Sequence, residues 1–252
     1  MRFAVAAAFI VLVAPVAAGA TRPPVALIAS PAHVDLAGSA RSVVTVTNSG
    51  TETAVVDVLR AGYALDVRGR PRVAARRGSW LAVAPARVTL APGAARSITV
   101  TSKLPRKAQP GDHPELVLFA THVLRGRGLP VRVRLGVVVV VRAPGKVVHR
   151  LDLAGVTVRR AAGKRVLRLR IANRGNVIEA LKPACSRVVV LHGRVLLAML
   201  RPPGRRLLPR TSALVDVVYR GTFRGSARVR LSPAVAGRCP VVARGRWFPV
   251  RL

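Results

Sequence analysis

Valine, leucine and threonine alternate with polar residues in short runs along this chain, and proline and glycine separate the runs. Arg41 to Asn48, RSVVTVTN, shows the pattern: Val44 and Val46 alternate with Thr45 and Thr47. Period-two alternation predicts a strand with one buried and one wet face. Asn48-Ser49-Gly50 then supplies a turn that tolerates positive φ, and Thr53 to Leu59 returns as the next strand. Ala54 to Leu65 has a helical alternative, but its valines favour strand. Val88-Thr89-Leu90 meets the turn Ala91-Pro92-Gly93, and Ser97 to Val100 resumes the alternation. Pro110-Gly111-Asp112 turns the chain into Glu115 to Thr121.

The same grammar recurs further on. Val166 to Asn173 alternates and ends at Asn173-Arg174-Gly175. Leu207-Leu208-Pro209 precedes Ala213 to Tyr219, as Leu90-Ala91-Pro92 precedes Ser97 to Val100. Two copies of one strand order account for this better than one large barrel. Between the copies runs VRVRLGVVVVVRAPG, residues 131 to 145. Its apolar stretch is far shorter than the roughly twenty residues a membrane helix requires. It reads as the last strand of the first copy, with Gly136 marking a bulge or bend and Arg142-Ala143-Pro144-Gly145 ending it. The expected fold is all-β: two tandem immunoglobulin-like β-sandwich domains, residues 21–144 and 145–252, each of about seven strands. Residues 1–20, MRFAVAAAFIVLVAPVAAGA, read as a signal peptide, with Arg2, an apolar run and the small residues Ala18-Gly19-Ala20.

Composition sharpens this picture. The chain has 252 residues, 51% of them hydrophobic and only 4% aromatic, so valine, alanine and leucine must fill the cores. Its 43 basic residues against 9 acidic ones give a formal net charge of +34. Such a charge favours anionic partners, although arginine is spread along the whole chain and forms no separate basic tail. Arg132 and Arg134, Arg168 and Arg170, and Arg228 and Arg230 stand two apart, so each pair shares a strand face. Neighbouring strands of this kind would make an arginine-lined surface for an anionic polymer. Aromatic interleaving for base stacking is missing, which argues against specific nucleic-acid binding. Trp80 and Trp247, one per domain, read as core or edge packing. Cys185 and Cys239 are expected to pair in an exported chain. Closing a loop of about fifty residues is worth on the order of 4 kcal/mol in the chain-entropy model.

Catalytic patterns are missing: there is no GxSxG, HExxH, P-loop or paired CxxC motif. No catalytic residue, metal or cofactor is expected. The one polar cluster, Asp112-His113-Pro114-Glu115 with His122 beyond it, reads as a solvated loop leading into a strand. Leu208-Pro209-Arg210-Thr211-Ser212 is a turn before a strand; it lacks the glycine and apolar tail of a sortase signal.

The order Asn48-Ser49-Gly50, Trp80, Val88 to Gly93, Pro110 to His113 and the Val131 to Pro144 strand resembles one group. It is similar to the immunoglobulin-like extracellular domain of Gram-positive WxL-interacting cell-surface proteins, described as peptidoglycan-binding. The resemblance covers about residues 25 to 144, and residues 145 to 252 are compatible with that family's second sandwich. The family carries a transmembrane helix and basic tail at its end, where this chain reads Trp247-Phe-Pro-Val-Arg-Leu252. A second resemblance is to the periplasmic pilus chaperones, also built from two immunoglobulin-like domains. In them the last strand of the first domain completes a partner's sheet. Val137, Val139 and Val141 stand in that place as a strand-addition edge, and Arg142-Ala143-Pro144 is similar to that family's ending. The first strand, Val25 to Val34, lacks the basic residue with which those chaperones grip a carboxylate. The resemblances imply a secreted or cell-envelope protein that binds or scaffolds a wall polymer or a surface protein. The chain's own arginines point to an anionic polymer, its missing motifs argue against catalysis, and its apolar runs predict no membrane span in the mature chain. The alternative implied is a pilus-type chaperone working by strand addition.

Overall fold

The computed structural model describes residues 23–74, 80–122, 132–233 and 243–252. The expected leader (1–20), Val131 and Cys239 lie outside the described residues. Every regular element described is a strand, and no described helix is long and apolar enough to cross a membrane. The first ten strands are β1 (Leu27–Ser30), β2 (His33–Ala37), β3 (Arg41–Asn48), β4 (Ala54–Leu65), β5 (Pro71–Ala74), β6 (Leu81–Ala84), β7 (Arg87–Leu90), β8 (Ala95–Ser102), β9 (Gly111–Thr121) and β10 (Arg134–Ala143). The rest are β11 (Leu151–Ala161), β12 (Lys164–Asn173), β13 (Glu179–Leu181), β14 (Ser186–His192), β15 (Val195–Leu200), β16 (Arg205–Leu207), β17 (Ser212–Tyr219), β18 (Ser226–Pro233), β19 (Ala243–Arg244) and β20 (Phe248–Arg251).

Strands β1 to β10 form two sheets facing each other. One runs β1-β3-β8-β6; the other runs β2-β10-β9-β4-β5, with β7 also paired to β4. Their inward side chains make one core of mostly valine, closed around Phe119, Leu81, Leu90 and Ile98, all fully buried. Strands β11 to β20 repeat the architecture with sheets β17-β12-β11-β19 and β15-β14-β18-β20, plus the short pair β13-β16. Leu167, Leu169, Ile171, Val215, Val229 and Leu231 fill that second core. Alternating apolar positions leave water on one face only, which is the main stabilising term for such sheets. The molecule is thus all-β, two tandem immunoglobulin-like sandwiches.

Three details depart from the reading of the sequence. The stretch Val25 to Val34 is not one strand: it breaks at the cis Ser30–Pro31 bond, and β1 and β2 join opposite sheets. Gly136 marks no bulge, because β10 pairs with β9 in unbroken register from Arg134↔Ala120 to Ala143↔Gly111. Asp112 to Glu115 is not a solvated loop. It opens β9, with Asp112 and Glu115 both buried.

The repeated turn grammar has one physical device behind it. Asn48, fully buried at the end of β3, donates through Nδ2 to the carbonyls of Glu52 (2.7 Å) and Leu90 (3.1 Å), and its Oδ1 accepts from Gly50 N–H (3.0 Å). Asn173, at the end of β12, does the same with Val177 O (2.8 Å), Leu207 O (3.3 Å) and Gly175 N–H (2.9 Å). Each amide ties its own turn to the chain entering the neighbouring strand of its sheet, β8 beside β3 and β17 beside β12. Gly50 and Gly175 pass so close to the backbone of Pro24 and Val148 that a side chain would collide. The following turns also correspond: Gly93 and Arg210 both have left-handed φ, +75° and +59°.

Candidate functional site

The two sandwiches meet at a hydrogen-bonded joint. Its centre is the turn Pro110-Gly111-Asp112 from the first and Asn176-Val177-Ile178 from the second. Asp112 N–H donates to Asn176 O (2.8 Å), and Ile178 N–H donates to Asp112 Oδ2 (2.7 Å). Asn176 Nδ2 donates to Pro110 O (2.9 Å) and Lys146 O (2.8 Å), while its Oδ1 accepts from Val148 N–H (2.7 Å). Arg142, from the last strand of the first sandwich, holds Asp112 with two bonds of 2.6 and 3.0 Å. That pairing raises the Arg142 guanidinium above its ordinary value. A second contact lies further out: Leu214 N–H donates to Val67 O (2.7 Å), and Arg205 donates to Arg68 O. Beside the joint, His149 Nδ1 lies 2.7 Å from Glu179 Oε1. Burial pushes the Glu179 carboxyl up, and His149 works against that shift. Nothing in the sequence announced the joint, because its partners are dozens of residues apart and most of its bonds use backbone groups.

A cleft of about 530 Å³ opens at this joint. The first sandwich lines it with Tyr63, Trp80 and His113; the second contributes Asn176 and the turn Leu208 to Thr211. Trp80 and His113 stack with ring centroids 3.6 Å apart, and Glu115 Oε1 accepts the backbone N–H of Trp80 (3.0 Å). Burial raises the Tyr63 phenol, with Arg206 opposing. Arg210 lines the cleft, so the turn that resembled a sortase signal supplies a cation there. The polar cluster does not converge. Asp112 faces Arg142, Glu115 faces Trp80, and His122 pairs with Asp57 (2.9 Å), which Arg87 also holds (2.7 Å). The Arg87 bond is the largest influence lowering the Asp57 carboxyl. No group of three or more His, Cys, Asp or Glu side chains among the described residues could hold a metal ion.

The expected strand-addition edge requires correction. Val137, Val139 and Val141 point into the core, at most 1% exposed. Moreover, β2 already lies along this edge in parallel, from Val138↔His33 to Arg142↔Ala37. The open part of the edge is therefore nearer the start of β10. Val138 N–H donates to Ala32 O and Arg142 O accepts from Gly38 N–H, so even-numbered residues aim their backbone groups outward. A residue in an antiparallel pair sends both groups to one side. Arg134 and Gly136 thus present N–H and C=O groups where no described strand pairs. Val133 and Leu135, half-buried, sit at the rim of the core beside them.

The arginine pairs do not merge into one surface. Arg134 is on β10, Arg168 and Arg170 on β12, and Arg228 and Arg230 on β18. Strands β12 and β18 belong to opposite sheets of the second sandwich, so their outer faces look apart. Several of these charges are also engaged. Arg132 donates to Thr121 O (3.1 Å). Arg168 and Arg159 both hold Asp216, lowering its carboxyl to about 2. Cys185 stands in the turn before β14, and no described cysteine is a free thiol.

No family model matches the chain, and no curated protein does. Solved structures are similar to it in fold. A chain from the chaperone–tip adhesin complex of CFA/I fimbriae biogenesis has 15% identity and a TM-score of 0.51, covering 89% of this chain and 98% of its own. The class 5 fimbriae chaperone CfaA has 16% identity and a TM-score of 0.48, covering 89% and 99%. The CsuC–CsuE chaperone–tip adhesion subunit complex of Acinetobacter baumannii gives 11% and 0.46, covering 89% and 98%. The likeness at these identities is one of architecture, and the first of the three carries it: two tandem immunoglobulin-like sandwiches over nearly the full length of both chains.

Proposed function

We propose that this protein is an extracytoplasmic, non-enzymatic binding protein of the chaperone kind, which takes an extended segment of another envelope protein as an added strand. The observation that carries the reading is the open start of β10, where Arg134 and Gly136 offer backbone donors and acceptors beside Val133 and Leu135. An added strand gains its affinity from main-chain bonds and its specificity from alternate side chains. The bonded joint keeps the cleft's two walls in register, and Arg210 there suits an anionic group of the partner. The fold supports the reading, since it is shared with a chain from a chaperone–tip adhesin complex. The apolar leader read in residues 1–20 supports export. The wall-polymer reading loses its premise, because the arginine pairs lie on separate sheets.

Gly136→Pro tests the proposal. Proline removes the outward N–H of an edge residue and leaves the β9 ladder intact. The tagged chain would be expressed in its native envelope, and captured proteins would be identified by mass spectrometry. Hydrogen exchange would follow the Arg134 and Gly136 amides. Protection of these amides in the complex, and loss of the same captured protein with the proline variant, is the expected result. Capture undiminished by Gly136→Pro, in a variant of unchanged melting temperature, would overturn it.

A further inference from the structure

The outer face of the sheet β15-β14-β18-β20 joins an apolar half to a cationic half. Register places Met199, Val189 and Arg230 in one row across it, and Leu196, Leu191, Arg228 and Pro249 in the next. The inner positions, Val188, Val190, Val229 and Leu231, fill the core. Outer positions of a sandwich sheet are ordinarily polar. Here the β14–β15 half is apolar, with Leu196 52% and Met199 57% exposed. The β18–β20 half is cationic. Arg230 and Arg228 lie over the half-buried Trp247 ring, at 4.5 and 5.4 Å from its centroid. Among the described residues neither arginine pairs with a carboxylate: Arg228 donates to Gly193 O (2.9 Å), Asp152 is held by Arg150 and Arg174, and Asp216 lies on the opposite sheet.

Scattered exposed apolar side chains need no explanation, but a contiguous apolar row beside a one-signed charged row does. We infer that this face docks the protein on an anionic phospholipid surface. Leu196 and Met199 would enter the acyl boundary, Trp247 would sit at headgroup level, and Arg228 and Arg230 would meet phosphate oxygens. Tryptophan and arginine favour that interface because each joins an apolar body to a polar end. A soluble polyanion would engage the arginines and leave the apolar row in water, so the face as a whole fits a lipid layer better. The inference does not rest on the chaperone reading, because β10 and the cleft take no part in this sheet.

Sedimentation of the exported chain with vesicles tests it. One set is phosphatidylcholine; the other is equimolar phosphatidylcholine and phosphatidylglycerol. Binding only to the second set, weakened by salt, is expected. Each arginine near an anionic surface contributes about a fivefold gain in affinity, so Arg228→Gln with Arg230→Gln should weaken binding about twenty-five-fold. Leu196→Ser with Met199→Ser should weaken it about tenfold at unchanged net charge. Both variants alter outward-facing positions, and unchanged melting temperatures will confirm their folding. No binding to either vesicle overturns the inference. So does binding that polyphosphate abolishes and the serine variant leaves intact, which marks a plain polyanion site.

Discussion

Replacing Asn48 by alanine removes three bonds at one stroke and leaves their backbone partners behind. The Leu90 carbonyl and the Gly50 N–H are buried, and each loses its side-chain partner. A buried group left unpaired costs about 1–3 kcal/mol. The Glu52 carbonyl is partly wet and contributes about one ordinary bond, on the order of 1 kcal/mol. The expected loss is therefore about 3–7 kcal/mol, a large part of the roughly 5–15 kcal/mol that holds a domain folded. Asn173→Ala should cost the second sandwich a similar amount, since its bonds match one for one. The chain has two tryptophans, Trp80 in the first sandwich and Trp247 in the second. Urea unfolding in a Trp247→Phe background thus reports the first sandwich, and Trp80→Phe reports the second. Each alanine variant should shift the midpoint of its own sandwich most. Losses below about 1 kcal/mol would refute the argument that these amides hold buried backbone groups.

Two further outcomes follow from the ion pairs. The Asp216 carboxyl is lowered from 3.8 to about 2 by Arg168 and Arg159, so its contribution is present above pH 3.8 and fades as pH falls toward 2; Asp216→Asn should flatten acid unfolding in that window, and an unchanged acid limb would contradict it. Asp112→Ala removes the acceptor that holds both Arg142 and Ile178 N–H; X-ray scattering should then show a wider spread of inter-domain distances with both sandwiches still folded, and an unaltered profile would show that Asn176 and the Val67–Leu214 contact suffice.

Much of the fold was legible because strand formation is a local, period-two signal. Arg41 to Asn48 and Val166 to Asn173 became β3 and β12 with little change in their bounds. The parallel between Leu90-Ala91-Pro92 and Leu207-Leu208-Pro209 also had real content, since both leucine carbonyls accept from the buried asparagines. The candidate sites were less legible. Valines of the β10 stretch looked equally available for docking, yet β2 folds back along most of their edge. Asp112 looked like loop polarity, but it binds across the joint to a residue sixty-six positions away.

What this sequence determined alone was therefore the strand content, the turn positions, the two-fold repetition and the excess of positive charge, all of which arise from neighbours along the chain. Only the tertiary structure decided which strands lie side by side. That placement buried Val139, parted Arg168 from Arg228, opened a cleft beside Asp112, and lined up Met199 with Arg230 on one outer face. Alternation specifies two faces for each strand, but sheet order and register come from contacts between distant segments, and surfaces are made of strands in that order.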